Sequence, residues 1–285
     1  MIRLTHFGEV LRIDLARPLA GKGRYWTTCY WVDGLLIDTG CSHTAGELVR
    51  ALESRPVERV VNTHSHEDHI GCNGRLQRGR SDLLIQAHPL ALPVIARPKV
   101  EQPLHLYRRI FWGWPEAALA SPLMDGEVFE LGGWRYRVIY TPGHSADHLC
   151  LFEENRGWLF SGDLFVGGRD RALRQGCDIW GIMASLARVH DLPVRILFPG
   201  CARVRENPCQ EIRAKLDYYQ ELGERIGAYY RKGWSLDAIT RAVCGGPMWI
   251  ETVTLGHFAR KWLVLSYLHN PEISQGILDP NRLTS

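Results

Sequence analysis

The sequence predicts an α/β layered domain with a helical C-terminal extension, and three observations carry that expectation. Up to about residue 205, short β-rich apolar runs alternate with amphipathic segments across Gly, Asp and Asn turns. Over residues 92–125 the rhythm breaks at Pro93, Pro98, Pro103, Pro115 and Pro122. After Pro208 the pattern becomes almost wholly helical. The expected division is residues 1–205 for the layered domain, with 92–125 inserted in it, and 206–285 for the helical extension.

Taken in order, Tyr25–Val32 and Leu35–Ile37 flank the turn Asp33-Gly34 and read as a hairpin. Thr44–Ser54 reads as a helix, with Thr44 as its cap and Leu48, Val49 and Leu52 on its apolar face. Val57–Val61 is a buried strand. The insertion mixes Tyr107, Phe111, Trp112 and Trp114 with Lys99, Arg108 and Arg109, and one helix is expected around Leu104–Trp112. Strands resume at Val128–Leu131, Arg135–Tyr140, His148–Phe152 and Gly157–Phe160. Ile182–His190 reads as a helix and Arg195–Phe198 as a further strand. Glu211–Tyr230, Leu236–Val243 and Thr254–His269 are the helices of the extension.

A chain of 285 residues can bury a substantial core without covalent staples. The 34 basic side chains exceed the 31 acidic ones by three, too few to argue for a nucleic-acid partner. The N-terminal segment scatters charges where a signal peptide would be apolar, and no run of roughly 18 apolar residues occurs. A cytoplasmic protein without a membrane partner is expected. The eight cysteines include no C-x-x-C pair and read as reduced, mostly buried thiols.

One segment concentrates chemistry. His64, His66, Asp68 and His69 place four candidate metal ligands in six positions, directly after the apolar run Val57–Val61. If the strand continues to His66, then His64 and His66 point to one side, and Asp68 and His69 open the next helix. Imidazole and carboxylate suit zinc, iron or manganese. A solvated polar loop is a poor account of such density.

His-x-His-x-Asp-His after a buried strand resembles the signature of the metallo-β-lactamase superfamily. Further motifs follow in that family's order: Leu36-Ile37-Asp38-Thr39-Gly40, Thr141-Pro142-Gly143-His144 and Ser161-Gly162-Asp163. The resemblance covers about residues 25–203. It implies a four-layer αββα sandwich with the site on loops at one edge of paired sheets. It further implies one metal site of His64, His66 and His144, a second fed by Asp68 and His69, and Asp163 between them. Asp38 would order the site from behind. Two divalent metal ions are implied, Zn2+ foremost with Fe or Mn as alternatives, and Asp68 is the expected catalytic group beside an activated water.

The family commonly ends its ligand set with a histidine in a Pro-Gly-His turn, where this chain has Pro199-Gly200-Cys201. Cys201 is therefore a candidate thiolate ligand, a bystander leaving a weaker second site, or a small structural residue. His43, Arg169 and Arg171 are weaker candidates for the site or an anionic substrate, and His148 reads as structural. The segment 92–125, with Tyr107, Phe111 and Trp112, either covers the core or roofs the site.

The resemblance implies hydrolysis of a small ester, thioester or related acyl compound, broadly as in glyoxalase-II-type relatives. A small-molecule substrate, anionic and amphipathic, is expected, and a homodimer is compatible with the helical extension. The alternatives are a phosphodiesterase or nuclease, a mononuclear-iron sulfur dioxygenase, and a metal-binding sensor without turnover.

Overall fold

Two β-sheets are built from the strand-forming segments of the first two hundred residues. A computed structural model describes residues 1–269. The first sheet has seven strands, in the order Ile2–Phe7, Val10–Leu15, Thr27–Val32, Gly34–Ile37, Val57–Val61, Leu84–Ala87 and Ser121–Pro122. Its first four strands pair antiparallel, and from Gly34–Ile37 onward the pairing is parallel. The hairpin at Asp33-Gly34 forms as expected, and both turn residues adopt positive φ, 38° and 91°.

The second sheet has six strands, Val128–Leu131, Trp134–Tyr140, Leu149–Glu153, Trp158–Gly162, Ile196–Pro199 and Arg205–Glu206. Only Trp158–Gly162 and Ile196–Pro199 run parallel. Successive side chains of a strand point to opposite faces, and this alternation divides the interior into two cores. Leu35, Ile37 and Val61 of the first sheet join Tyr136, Val138, Leu151, Phe160 and Phe198 of the second. Leu36 and Val60, one step out of phase, bury against Leu48, Leu76 and Ile95 on the helices Ala45–Ala51, Asn73–Gly79 and Leu92–Ala96. Each fully buried aliphatic or aromatic side chain contributes about 1.5–3 kcal/mol.

Some local expectations change. Thr44 precedes its helix without capping it; its hydroxyl donates instead to the Cys41 carbonyl at 3.1 Å, closing a short turn over Ser42–Thr44. The insertion carries three short helices rather than one, Leu92–Ala96, Pro98–Glu101 and Leu106–Phe111. Pro93 and Pro98 sit in the first turns of the first two, where a missing N–H costs nothing.

The chain divides into two compact units. The first comprises residues 1–140, 146–166 and 194–207, and contains both sheets and the insertion. In the second, the C-terminal helices share a unit with residues 141–145 and 167–193. Its described helices are Ile179–His190, Cys209–Arg231, Leu236–Cys244, Trp249–Val253 and Arg260–Leu268. The single helix expected over Thr254–His269 is interrupted because Leu255 and Gly256 take positive φ, 51° and 76°. The chain then forms the short strand Phe258–Ala259, paired with Leu173–Arg174. Gly223 admits the Tyr267 ring, whose hydroxyl donates to the Tyr219 carbonyl at 2.7 Å. Residues 270–285 of the expected extension lie outside the described residues. Among the described residues, no helix is long and apolar enough to cross a membrane.

Candidate metal centre

The strand Val57–Val61 stops before the histidines, so the expected continuation to His66 does not occur. Residues 62–72 form an irregular loop that turns at 67–69 and 71–72, and Asp68 and His69 lie within it; the next helix begins only at Asn73. The cause is sideways tethering by carboxylates. The Thr63 N–H donates to Asp38 Oδ1 at 2.7 Å, and the Ser65 N–H donates to Asp147 Oδ2 at 2.8 Å. Both amides are thereby satisfied without a neighbouring strand.

His64, His69 and Asp163 each offer a ligand atom within 4.8 Å of the others, and both histidines are buried. His64 Nε2 lies 2.7 Å from His66 Nδ1. The imidazole of His69 stands at the acidic heart of the cluster. Its Nδ1 is 2.7 Å from Asp38 Oδ2, while its Nε2 is 3.6 Å from Asp163 Oδ2 and 3.9 Å from Asp68 Oδ2. Burial opposes its protonation, yet Asp38, Asp163 and Asp68 together carry its pKa well above the ordinary value. Such a spot attracts a cation, and the His/Asp donor set fits a divalent metal.

Asp38 lies against His69 directly and reaches His64 through Thr63. Thr63 Oγ1 donates to Asp38 Oδ2 at 2.8 Å and lies 3.0 Å from His64 Nδ1. With Nδ1 of His64 turned to Thr63 and Nδ1 of His69 turned to Asp38, the Nε2 atoms point to the opposite side, His64 Nε2 towards His66 and His69 Nε2 towards Asp163.

Asp163 follows Gly162, whose φ is 46°. Its own N–H donates to His148 Nε2 at 3.2 Å. His148 is fully buried, and burial pushes its pKa down to about 4, so the ring is a neutral acceptor that positions the Asp163 loop. Cys201 ends the Pro-Gly-Cys turn with Sγ 3.8 Å from Asp163 Oδ1. Burial, with Asp163 and Asp68 adding to it, pushes this thiol well up, so it stays protonated until a cation offsets that charge. His144 belongs to the second unit, where its carbonyl accepts from Cys177 Sγ at 3.3 Å and from Arg174 at 3.4 Å.

The weaker candidates separate clearly. His43 is exposed, with Nε2 3.1 Å from the Arg109 carbonyl and 3.2 Å from Arg17 Nη1, so it meets the insertion. Arg171 binds the Cys244 carbonyl at 2.8 Å, and Arg169 stacks over Tyr218 at 5.5 Å. Tyr107, Phe111 and Trp112 form an aromatic group with Tyr25, whose ring centroid is 4.2 Å from that of Phe111. A cavity of about 510 Å³ lies on the insertion, lined by Arg97, Lys99, Val100 and Trp114 among others, and takes in none of the candidate ligands. The sequence reading missed Glu67, which lies among the candidate ligands yet is wholly buried against Arg108. Its position inside the motif was a signal, but a one-dimensional pattern names no partner.

Residues 27–201 match the family model of the metallo-beta-lactamase superfamily. The chain belongs to that superfamily, and its paired sheets are that family's α/β architecture. It is 34% identical over 196 residues to the atrochrysone carboxyl ACP thioesterase of Aspergillus fumigatus, covering 67% of this chain and 54% of that one. It is 31% identical over 226 residues to the lactamase-like protein nscB of Arthroderma benhamiae, covering 79% and 43%. The chain thus spans about half the length of these curated relatives. Among solved structures, a metallo-beta-lactamase family protein from Thermus thermophilus aligns with a TM-score of 0.66 at 22% identity, covering 93% of this chain and 94% of that one.

Proposed function

We propose that the chain is a metal-dependent hydrolase of acyl compounds, with a thioester as the first substrate class to test. The observation that carries this reading is the cluster of buried His64 and His69 with half-buried Asp163, and Asp38 bonded behind it. The similarity to a protein named as a thioesterase favours that acyl class. In this reading His64, His66 and His144 hold one divalent ion. Asp68, His69 and Cys201 hold a second, and Asp163 serves both. Zinc is the metal of choice for such a mixed nitrogen, oxygen and sulfur donor set.

Bound there, divalent ions would polarise the acyl carbonyl and lower the pKa of a coordinated water to about 7. The chain's own groups supply the rest. Asp38, directly at His69 and through Thr63 at His64, would hold both imidazoles with Nε2 aimed inward. Asp68 orients the attacking water and takes its proton. The buried walls around His64 and His69 exclude competing water and strengthen each electrostatic contact.

Elemental analysis of anaerobically purified protein, followed by a panel of thioester, ester and phosphodiester substrates, tests the reading. Two equivalents of divalent metal and chelator-sensitive thioester turnover are expected, and His64→Ala or Asp163→Ala lowers the metal content and abolishes turnover. Cys201→Ala lowers the stoichiometry towards one, whereas Cys201→His retains two. A fully metal-loaded protein that turns over no ester or thioester sinks the proposal.

A further inference from the structure

Alternate residues of the ligand loop are anchored sideways, and this leaves the residues between them to converge. Thr63 is held by Asp38 and Ser65 by Asp147. The third anchor is Glu67, and it comes from the opposite direction in charge. Its carboxylate accepts from Arg108 Nε at 2.6 Å and from Arg108 Nη2, a two-pronged pair. Glu67 is 0% exposed and Arg108 7% exposed. Between these anchors stand His64 and His66; Asp68 follows the last of them, and then His69, whose N–H closes a turn onto the His66 carbonyl at 2.9 Å.

Arg108 lies on the short insertion helix Leu106–Phe111, which is itself seated at several points. Just beyond it the Trp112 carbonyl accepts from Ser42 Oγ at 2.9 Å, and the Arg109 carbonyl lies 3.1 Å from His43 Nε2. Gly113, at φ 77°, passes so close that a Cβ there would meet Ser42 Oγ at 2.4 Å. The helix is therefore pinned between the turn after Asp38 and the ligand loop.

A buried ion pair is a poor device for stability alone, because apolar residues of similar volume serve as well or better. Its two-pronged geometry does fix a direction, and the residue it fixes is flanked by two candidate ligands. We propose that Arg108 is a positioning residue for the metal centre: through Glu67 it holds the turn carrying Asp68 and His69, making the insertion part of the site. The proposal rests on the metal-hydrolase reading and adds to it a residue outside every motif.

The test uses the full-length protein and three variants: Arg108→Lys, Arg108→Met, and the double variant Glu67→Leu with Arg108→Met. Divalent metal affinity is measured by chelator competition, coordination geometry by the visible spectrum of the Co2+-loaded protein, and folding by thermal unfolding. Arg108→Met strands a buried carboxylate and is expected to lower both the unfolding temperature and metal affinity. The double variant removes the stranded charge and is expected to recover the unfolding temperature. Its affinity at the weaker site stays at least tenfold down, with an altered Co2+ spectrum. Arg108→Lys keeps the charge without the fork and is expected to fall between. Wild-type affinity and spectrum in the double variant, or in Arg108→Lys should the double variant not fold, overturn the proposal. A wild-type protein that binds no divalent metal instead removes the hydrolase reading beneath it.

Discussion

Gly200 offers a direct test of the proposed centre, because a single methyl group there would strike two of its groups. A Cβ on Gly200 would lie 2.7 Å from Asp163 Oδ1 and 2.8 Å from His69 Cε1. Ordinary contact begins at 3.4 Å, so relief requires movements of 3.4 − 2.7 = 0.7 Å and 3.4 − 2.8 = 0.6 Å. The backbone cannot supply them readily. The Gly200 N–H donates to Gly162 at 2.7 Å, and its carbonyl accepts from Thr28 at 2.8 Å. Overpacking of this kind costs about 1–3 kcal/mol, and a functional constellation tolerates displacement of only about 0.5 Å. Gly200→Ala is therefore expected to fold while losing about 10- to 100-fold in affinity for the metal that Asp163 and His69 are proposed to hold. Gly79→Ala, which meets nothing within 4 Å, is the control. Chelator competition with metal counting reads the result. Wild-type affinity and stoichiometry in Gly200→Ala would refute the assignment of Asp163 and His69 as ligands.

Three further outcomes are expected. Asp38→Asn removes a carboxylate that accepts from Thr63 and sits 2.7 Å from His69 Nδ1, so metal affinity drops about 10- to 100-fold; a change below twofold would refute its ordering role. Phe198→Ala opens the core between the sheets, where Phe198 stacks on Phe160 at 5.0 Å and meets Tyr30 at 5.3 Å. A loss of about 3–5 kcal/mol by urea unfolding is expected, and a loss under about 1 kcal/mol would contradict that packing. A thiol reagent at about pH 8 modifies exposed Cys209 first and leaves Cys72 protected. Burial pushes the Cys72 thiol up to about 12, so its thiolate is scarce at that pH; equal labelling rates by mass spectrometry would refute this.

Much of the fold and site was legible in one dimension. Short β-branched apolar runs bounded by turn residues located Val57–Val61 and Val128–Leu131, because strand-forming composition is a local property. The density of candidate ligands at His64, His66, Asp68 and His69 was equally local, and motif order brought in Asp38 and Asp163. The extent of each segment was less legible where a backbone angle decided it. The break at Leu255 and Gly256 depends on two positive φ values that the helical pattern around them does not announce.

What only the tertiary structure decided concerns partners far apart in sequence. Sequence placed Arg108 in an insertion and Glu67 in a motif, and nothing local joins residues 41 positions apart. The convergence of Asp147 on Ser65 and of His148 on Asp163 likewise follows from strand pairing, not from spacing. A metal ligand can be named from its chemistry because the side chain carries that chemistry alone. Its orientation is set by whichever groups the folded backbone brings behind it, and those bonds exist only once the sheets have paired.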